Sequence, residues 1–154
     1  MSYAKSVLQP GENIIATGRL HWIIYWPALV FLVAGIVLLA WEHQHWPGQQ
    51  VIILGTAVIF GVLFVGAFAR AWFIRWITEF AVTSRRVISK RGFIWRQTEE
   101  MNIDKVETVD VDQPIIGRLL DYGTVSVTGT GGTNEIFVRR IAAPFHLRNA
   151  IIAK

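Results

Sequence analysis

The apolar residues of this chain fall into two distinct regimes. From Trp22 to Trp41 twenty residues run without a charge, WIIYWPALVFLVAGIVLLAW, and from Val51 to Ala69 nineteen more, VIILGTAVIFGVLFVGAFA. At 1.5 Å per residue each makes a helix of about 30 Å, the thickness of a bilayer's hydrocarbon core. Eleven Leu, Ile, Val or Phe in the first segment and twelve in the second outweigh the Gly, Ala and Thr between them. After residue 77 the pattern shortens to β-like runs broken by turn residues: ITEFAVTS, RRVISKRG, FIWRQTEE, KVETVDVD, TVSVTG and EIFVRRI. Lys90-Arg91-Gly92 reads as a hairpin turn, PIIGRLLDY (114–122) as a short helical turn and Gly129 to Gly132 as another turn. FHLRNAIIAK closes the chain as a helix, with Phe145, Leu147, Ile151 and Ile152 available for packing. The expectation is an N-terminal segment (1–21), a first transmembrane helix (22–41), an outside loop (42–50), a second transmembrane helix with an interfacial extension (51–76), and a cytoplasmic domain (77–154). That domain holds six or so strands and one C-terminal helix.

The flanks support two spans. Trp22 and Trp26 open the first, Trp41 and Trp46 stand at its far end, and Trp72 and Trp76 follow the second, as rings that collect at headgroup level do. The connection EHQHWPGQQ holds no Lys or Arg, whereas Lys5, Arg19, Arg70, Arg75, Arg85 and Arg86 flank the hairpin on its other side. Positive charge stays inside, so both termini are expected in the cytoplasm, with a short outside hairpin. The first segment is too long for a signal peptide, and AWEHQH offers no small-residue cleavage site. Composition agrees: 53% of the 154 residues are apolar and 17% charged, where soluble domains carry about 25% charged.

Chemistry-bearing groups are sparse. With no cysteine there is no thiol nucleophile and no thiolate metal site. Three of the four histidines, His21, His43 and His45, lie at the membrane edges, and His146 stands alone in the cytoplasmic domain. The carboxylates at 99, 100, 104, 107, 110 and 112 recur as a solvated sheet face requires, not as an acid–base pair. Glu42, His43 and His45 offer three ligands where a closed metal site wants four, so they read as a polar interfacial turn. Gly129-Thr130-Gly131-Gly132 lacks a following Lys-Ser/Thr and a following helix, so it reads as a turn and not a phosphate loop. No catalysis, cofactor, metal or small-molecule substrate is expected.

Five cations, Arg85, Arg86, Lys90, Arg91 and Arg96, fall within twelve residues and form the candidate contact with lipid or partner. Each is worth about 1 kcal/mol near an anionic leaflet. Nucleic acid is not expected, because residues 77–154 net only +2, from 11 cations and 9 anions. Ala57 and Gly61, four apart, form a small-xxx-small pair that lets another helix approach, most simply the other span.

The chain resembles the bacterial pleckstrin-homology-like domain family of membrane-associated type. The resemblance rests on VTSRRVI (82–88) with Gly92, KVETVDVDQ (105–113), GRLLDYGTV (117–125), the GTGG turn and Pro144-Phe145, with LQPGE (8–12) and His21-Trp22 ahead of the first span. It implies a transmembrane helical hairpin followed by an all-β PH-like domain: two near-orthogonal antiparallel sheets capped by a C-terminal helix. The motif residues Thr83, Gly92, Gln113, Gly117, Arg118, Tyr122, Gly123, Gly129, Gly131, Gly132 and Pro144 are then structural. Eukaryotic relatives of this fold grip inositol phosphates with a basic first hairpin, and KRGFIWR resembles that placement. The expected function is a membrane-anchored, non-catalytic interaction module that binds a protein partner or itself. The alternatives are anionic headgroup binding through the hairpin 85–96, with the domain swinging on the 70–76 connection, and an accessory subunit of a membrane complex held by its spans.

Overall fold

The structure, a computed structural model, describes residues 7–92, 97–131 and 135–153. It contains two compact units: Trp22–Ile74, and a second made from the residues up to His21 together with Arg75–Lys154.

The first unit is a helical hairpin. A 3-10 turn (Trp22–Tyr25) leads into α1 (Trp26–His45), with Pro27 in its first turn, where a missing amide donor costs least. After four residues α2 (Gln50–Ile77) returns. Both helices are long and apolar enough to cross a membrane, with mean hydropathies of 2.5 and 2.7 over an 18-residue stretch of each segment. Contacts along the hairpin include Tyr25 of the 3-10 turn against Phe68 (ring centroids 5.1 Å), Gly35 against Phe60, and Thr56 Oγ1 donating to Glu42 Oε1 at 2.8 Å. The close approach runs through Gly35, where a Cβ would lie 2.8 Å from that of Phe60; Gly61 of the small-residue pair faces open space. Trp22, Trp26, Trp41, Trp46, Trp72 and Trp76 are all exposed.

The second unit has seven strands: β1 (Ile14–Gly18), β2 (Glu79–Thr83), β3 (Arg86–Arg91), β4 (Gln97–Asn102), β5 (Val106–Asp112), β6 (Tyr122–Gly129) and β7 (Glu135–Ala142). They form two antiparallel sheets, β1-β2-β3-β4 and β5-β6-β7. The short helix α3 (Ile115–Leu120) interrupts β5 and β6, and α4 (Pro144–Ile152) ends the chain. This is the fold class the sequence implies, with one difference in how it is assembled. Residues 14–18 are not part of a separate N-terminal segment but the edge strand of the first sheet, with Thr17 opposite Ala81 and Gly18 opposite Phe80. Just beyond β1, Leu20 bridges to Ile141 of β7 and His21 donates its amide to the Arg140 carbonyl at 2.7 Å, joining the two sheets. The helical hairpin is thus inserted between the first two strands.

The core lies between the sheets. Phe80, Val82, Val87, Val125, Val127, Ile136, Val138 and Ile141 line it, and Leu147 and Ile151 of α4 close one end. β6 alternates strictly, with every second residue buried, as TVSVTG suggests. On α4 Pro144, Leu147 and Ile151 are buried, whereas Phe145 and Ile152 are about half exposed. In β5 the buried or half-buried valines stand at 106, 109 and 111 because a bulge at Glu107 shifts the register by one.

Candidate functional site

Strand register decides what the basic segment can do. Glu79 pairs with Lys90, Val82 with Val87 and Arg91 with Gln97. Arg85 and Arg86 therefore lie at the end of the sheet where β2 turns into β3, and Lys90 and Arg91 lie at the opposite end. Four residues of strand separate the two groups by about 13 Å. Arg96 lies outside the described residues. The hairpin that carries Lys90 and Arg91 joins the third and fourth strands; the first two strands are joined by the helical hairpin.

Arg86 is held in a network. Its Nε and Nη2 donate to Glu12 Oε1 and Oε2, each at 3.0 Å, its Nη1 to Glu100 Oε2 at 2.7 Å, and Nη2 also to the Val7 carbonyl at 2.8 Å. Thr83 donates to Glu12 Oε1 at 2.6 Å and accepts the Arg86 amide at 3.0 Å. The Glu12 side chain is fully buried and that of Arg86 is 12% exposed. The Arg86 guanidinium holds the Glu12 pKa at about 2, against 4.5 ordinarily, and the same bond raises that of Arg86. Local sequence explains the delivery of Glu12. Gln9-Pro10-Gly11-Glu12 has Gly11 at φ +80 and the Glu12 amide 3.0 Å from the Gln9 carbonyl, the geometry of a type II turn with Pro and Gly at its centre. Sequence reasoning placed LQPGE in the family but missed its job: a turn that brings a carboxylate from before the spans onto an arginine after them.

The other motif residues hold the backbone. Gly92 (φ +83) and Gly131 (φ +90) sit at strand ends; Gly132 lies outside the described residues. A Cβ on Gly117 would lie 2.5 Å from the Tyr122 carbonyl oxygen, one on Gly123 2.8 Å from that of Asp112, and one on Gly129 would press on Met101. Gln113 Nε2 donates to the same Tyr122 carbonyl at 3.3 Å, Pro144 is buried at the start of α4, and Arg118 is exposed on α3. The Tyr122 ring stacks on His21 (centroids 5.2 Å), whose pKa is pushed down from 6.5 by burial.

The second candidate surface is β5. Among the described residues its sheet ends there, so one edge of β5 has no strand partner. Beside that strand an open groove of about 660 Å³ is lined by Ile103, Asp104, Val106, Glu107 and Val109 on one side and by Ile151 and Ile152 of α4 on the other. Glu107, Asp110 and Asp112 are exposed along the strand. This groove lies toward the end of the second sheet where Val106 pairs with Gly129, away from the end where Leu20 meets Ile141.

Among the described residues no group of three or more His, Asp or Glu is placed to hold a metal, and His146 is exposed on α4. The architecture of two antiparallel sheets and a capping C-terminal helix is that of a PH-like domain. Residues 24–154 match the bacterial PH domain family, and the chain belongs to it. The match begins after β1, the strand that completes the first sheet. No curated protein and no solved structure matches the chain. PH-like domains are in general non-catalytic, and the family suggests an interaction module.

Proposed function

We propose that the protein is an adaptor anchored in the bacterial inner membrane by its helical hairpin, with both termini cytoplasmic, and that its PH-like unit receives an extended segment of a partner protein along β5. The open edge of β5 beside the groove against α4, whose lining mixes aliphatic side chains with Asp104 and Glu107, carries this reading. A strand added there satisfies main-chain donors and acceptors, while the groove takes alternate side chains. Charge selects the partner. Asp104, Glu107, Asp110 and Asp112 repel a second copy of the same edge and favour a segment rich in Lys or Arg. The Lys/Arg-free connection at 42–50 and the cations at 70 and 75 support the orientation.

Headgroup binding by a single basic hairpin gains less support, because register separates Arg85 and Arg86 from Lys90 and Arg91, and Arg86 is committed to Glu12 and Glu100. Two neighbouring strands, β1 and β2, lead into the helices, so a domain swinging on one connection at 70–76 is not the favoured picture. A photo-crosslinking residue at Asp110 of the full chain in native membranes tests the proposal. It should give a discrete adduct with another protein, lost in the Glu107→Lys/Asp112→Lys variant. An adduct with itself, or one indifferent to those charges, refutes it.

A further inference from the structure

We propose that α3 is a wedge that dips into the lipid interface beside the point where the chain enters its first span. The inference rests on reading the hairpin as membrane-spanning and is independent of what β5 binds. Ile115 and Leu119 are 87% and 85% exposed and Ile116 is 59% exposed. Positions 115 and 119 are one turn apart, so they form a single apolar ridge, with 116 beside it. The helix is fixed to the unit by its other face. Gly117 abuts the Tyr122 carbonyl, Gln113 donates to that carbonyl, and Ala143 donates its amide to Asp121 at 3.0 Å. A ridge held rigidly outward has an occupant, because large exposed apolar patches on stable folds mark binding surfaces.

Topology says what the occupant is. α3 lies between the end of β5 and the start of β6, at the end of the second sheet where Tyr122 pairs with Ala142. That is the end where Leu20 bridges Ile141 and where His21 stacks on Tyr122. The residue after His21 is Trp22, the first of the candidate span. In the first sheet the same end carries Gly18 and Glu79, again next to the helices, and beside them Lys90 and Arg91. Charge follows this polarity. Arg118 on α3, Arg19, Arg139 and Arg140 are exposed there, against Glu79, Asp112 and Asp121. The opposite end holds Glu12, Glu100, Asp104, Glu107 and Glu135 against Arg85, Arg86 and Lys105. An aliphatic ridge with a basic surround, tied to the residue that precedes a span, fits an anionic bilayer surface.

Because the chain has no cysteine, single probes can be placed cleanly. An environment-sensitive dye is attached to Leu119→Cys, to Val58→Cys in the middle of α2, or to Thr130→Cys at the opposite end of the unit. The full chain is reconstituted in nanodiscs of mixed anionic and zwitterionic lipid, with and without a nitroxide-bearing lipid. The expected result is blue-shifted emission and strong quenching at 58 and 119, and solvent-like emission without quenching at 130. Ile115→Cys repeats the reading should the first variant fold poorly. Quenching at 58 with solvent-like emission at 119 and 115 overturns the wedge and leaves the anchor standing. Absence of quenching at 58 overturns the membrane reading and the wedge with it. Protection of 119 in native membranes but not in nanodiscs assigns the ridge to a protein and also overturns the proposal.

Discussion

Replacing Glu12 by Gln should loosen the first sheet across the helical insertion. The side chain is fully buried and touches Arg86 through both oxygens, so the variant leaves a nearly buried guanidinium with half its partners. The fall of the Glu12 pKa from 4.5 to about 2 corresponds, at about 1.4 kcal/mol per pH unit, to roughly 3 kcal/mol of stability. Breaking a buried pair by removing one partner costs about 3–5 kcal/mol, which agrees. The sign follows from the direction. The folded carboxyl is the stronger acid, so its contribution is complete above pH 4.5 and is lost as pH falls from 4.5 toward 2. The assay is hydrogen exchange of the β1–β3 amides in the full chain in nanodiscs, where roughly 3 kcal/mol means exchange about a hundredfold faster. Arg86→Met should do similar damage by stranding Glu12, and Glu12→Gln/Arg86→Met should recover much of it. A coupling energy above about 1.5 kcal/mol is expected; one under about 0.5 kcal/mol, typical of an exposed pair, would refute the argument.

Further predictions follow from single positions. Gly117→Ala places a methyl 2.5 Å from a backbone oxygen and should destabilise the unit by about 1–3 kcal/mol, read as a lower urea midpoint in mild detergent, with the α3 amides exchanging fastest. Leu147→Ala removes a side chain that is 2% exposed and should cost about 2–5 kcal/mol by the same measurement, whereas Phe145→Ala, half exposed, should cost far less. Deleting residues 1–18 should leave the spans helical by circular dichroism but expose the β2 edge, and exchange protection of β2 should collapse while that of β6 falls less. His21 is held below its ordinary pKa, so it folds neutral; its share of stability should decline as pH falls below 6.5, and His21→Gln should remove that dependence.

The parts of the fold that depend on local pattern were legible in the sequence. Twenty and nineteen uncharged residues mark two helices long and apolar enough to cross a membrane, and the alternation at 122–129 fixes which face of β6 is buried. PIIGRLLDY breaks the strand pattern and is indeed a short helix. β1 was not legible for a physical reason: IIATG is five residues long, and its partner Thr83 lies 69 positions from Ile14, beyond two helices. The candidate site was harder still. Five cations in twelve residues look like one patch by density, but a strand spaces residues 86 and 90 along the sheet, and only register shows that they lie toward different ends. Glu12 carried a signal in its Pro-Gly turn, since such a turn presents the following residue at a fixed angle, yet nothing local names Arg86 as its target. The valines at 106, 109 and 111 did carry the bulge of β5, as a three-residue step followed by a two-residue step.

The most direct test of the adaptor account compares amide exchange across Val106–Asp112 in two preparations: the lone chain in nanodiscs, and the chain with everything that stays bound after mild-detergent extraction from native membranes at native abundance. The account predicts that a second protein stays bound, that the β5 amides slow in its presence, and that Glu107→Lys/Asp112→Lys abolishes both effects. Unchanged exchange at β5 while another surface becomes protected by the bound protein would contradict it.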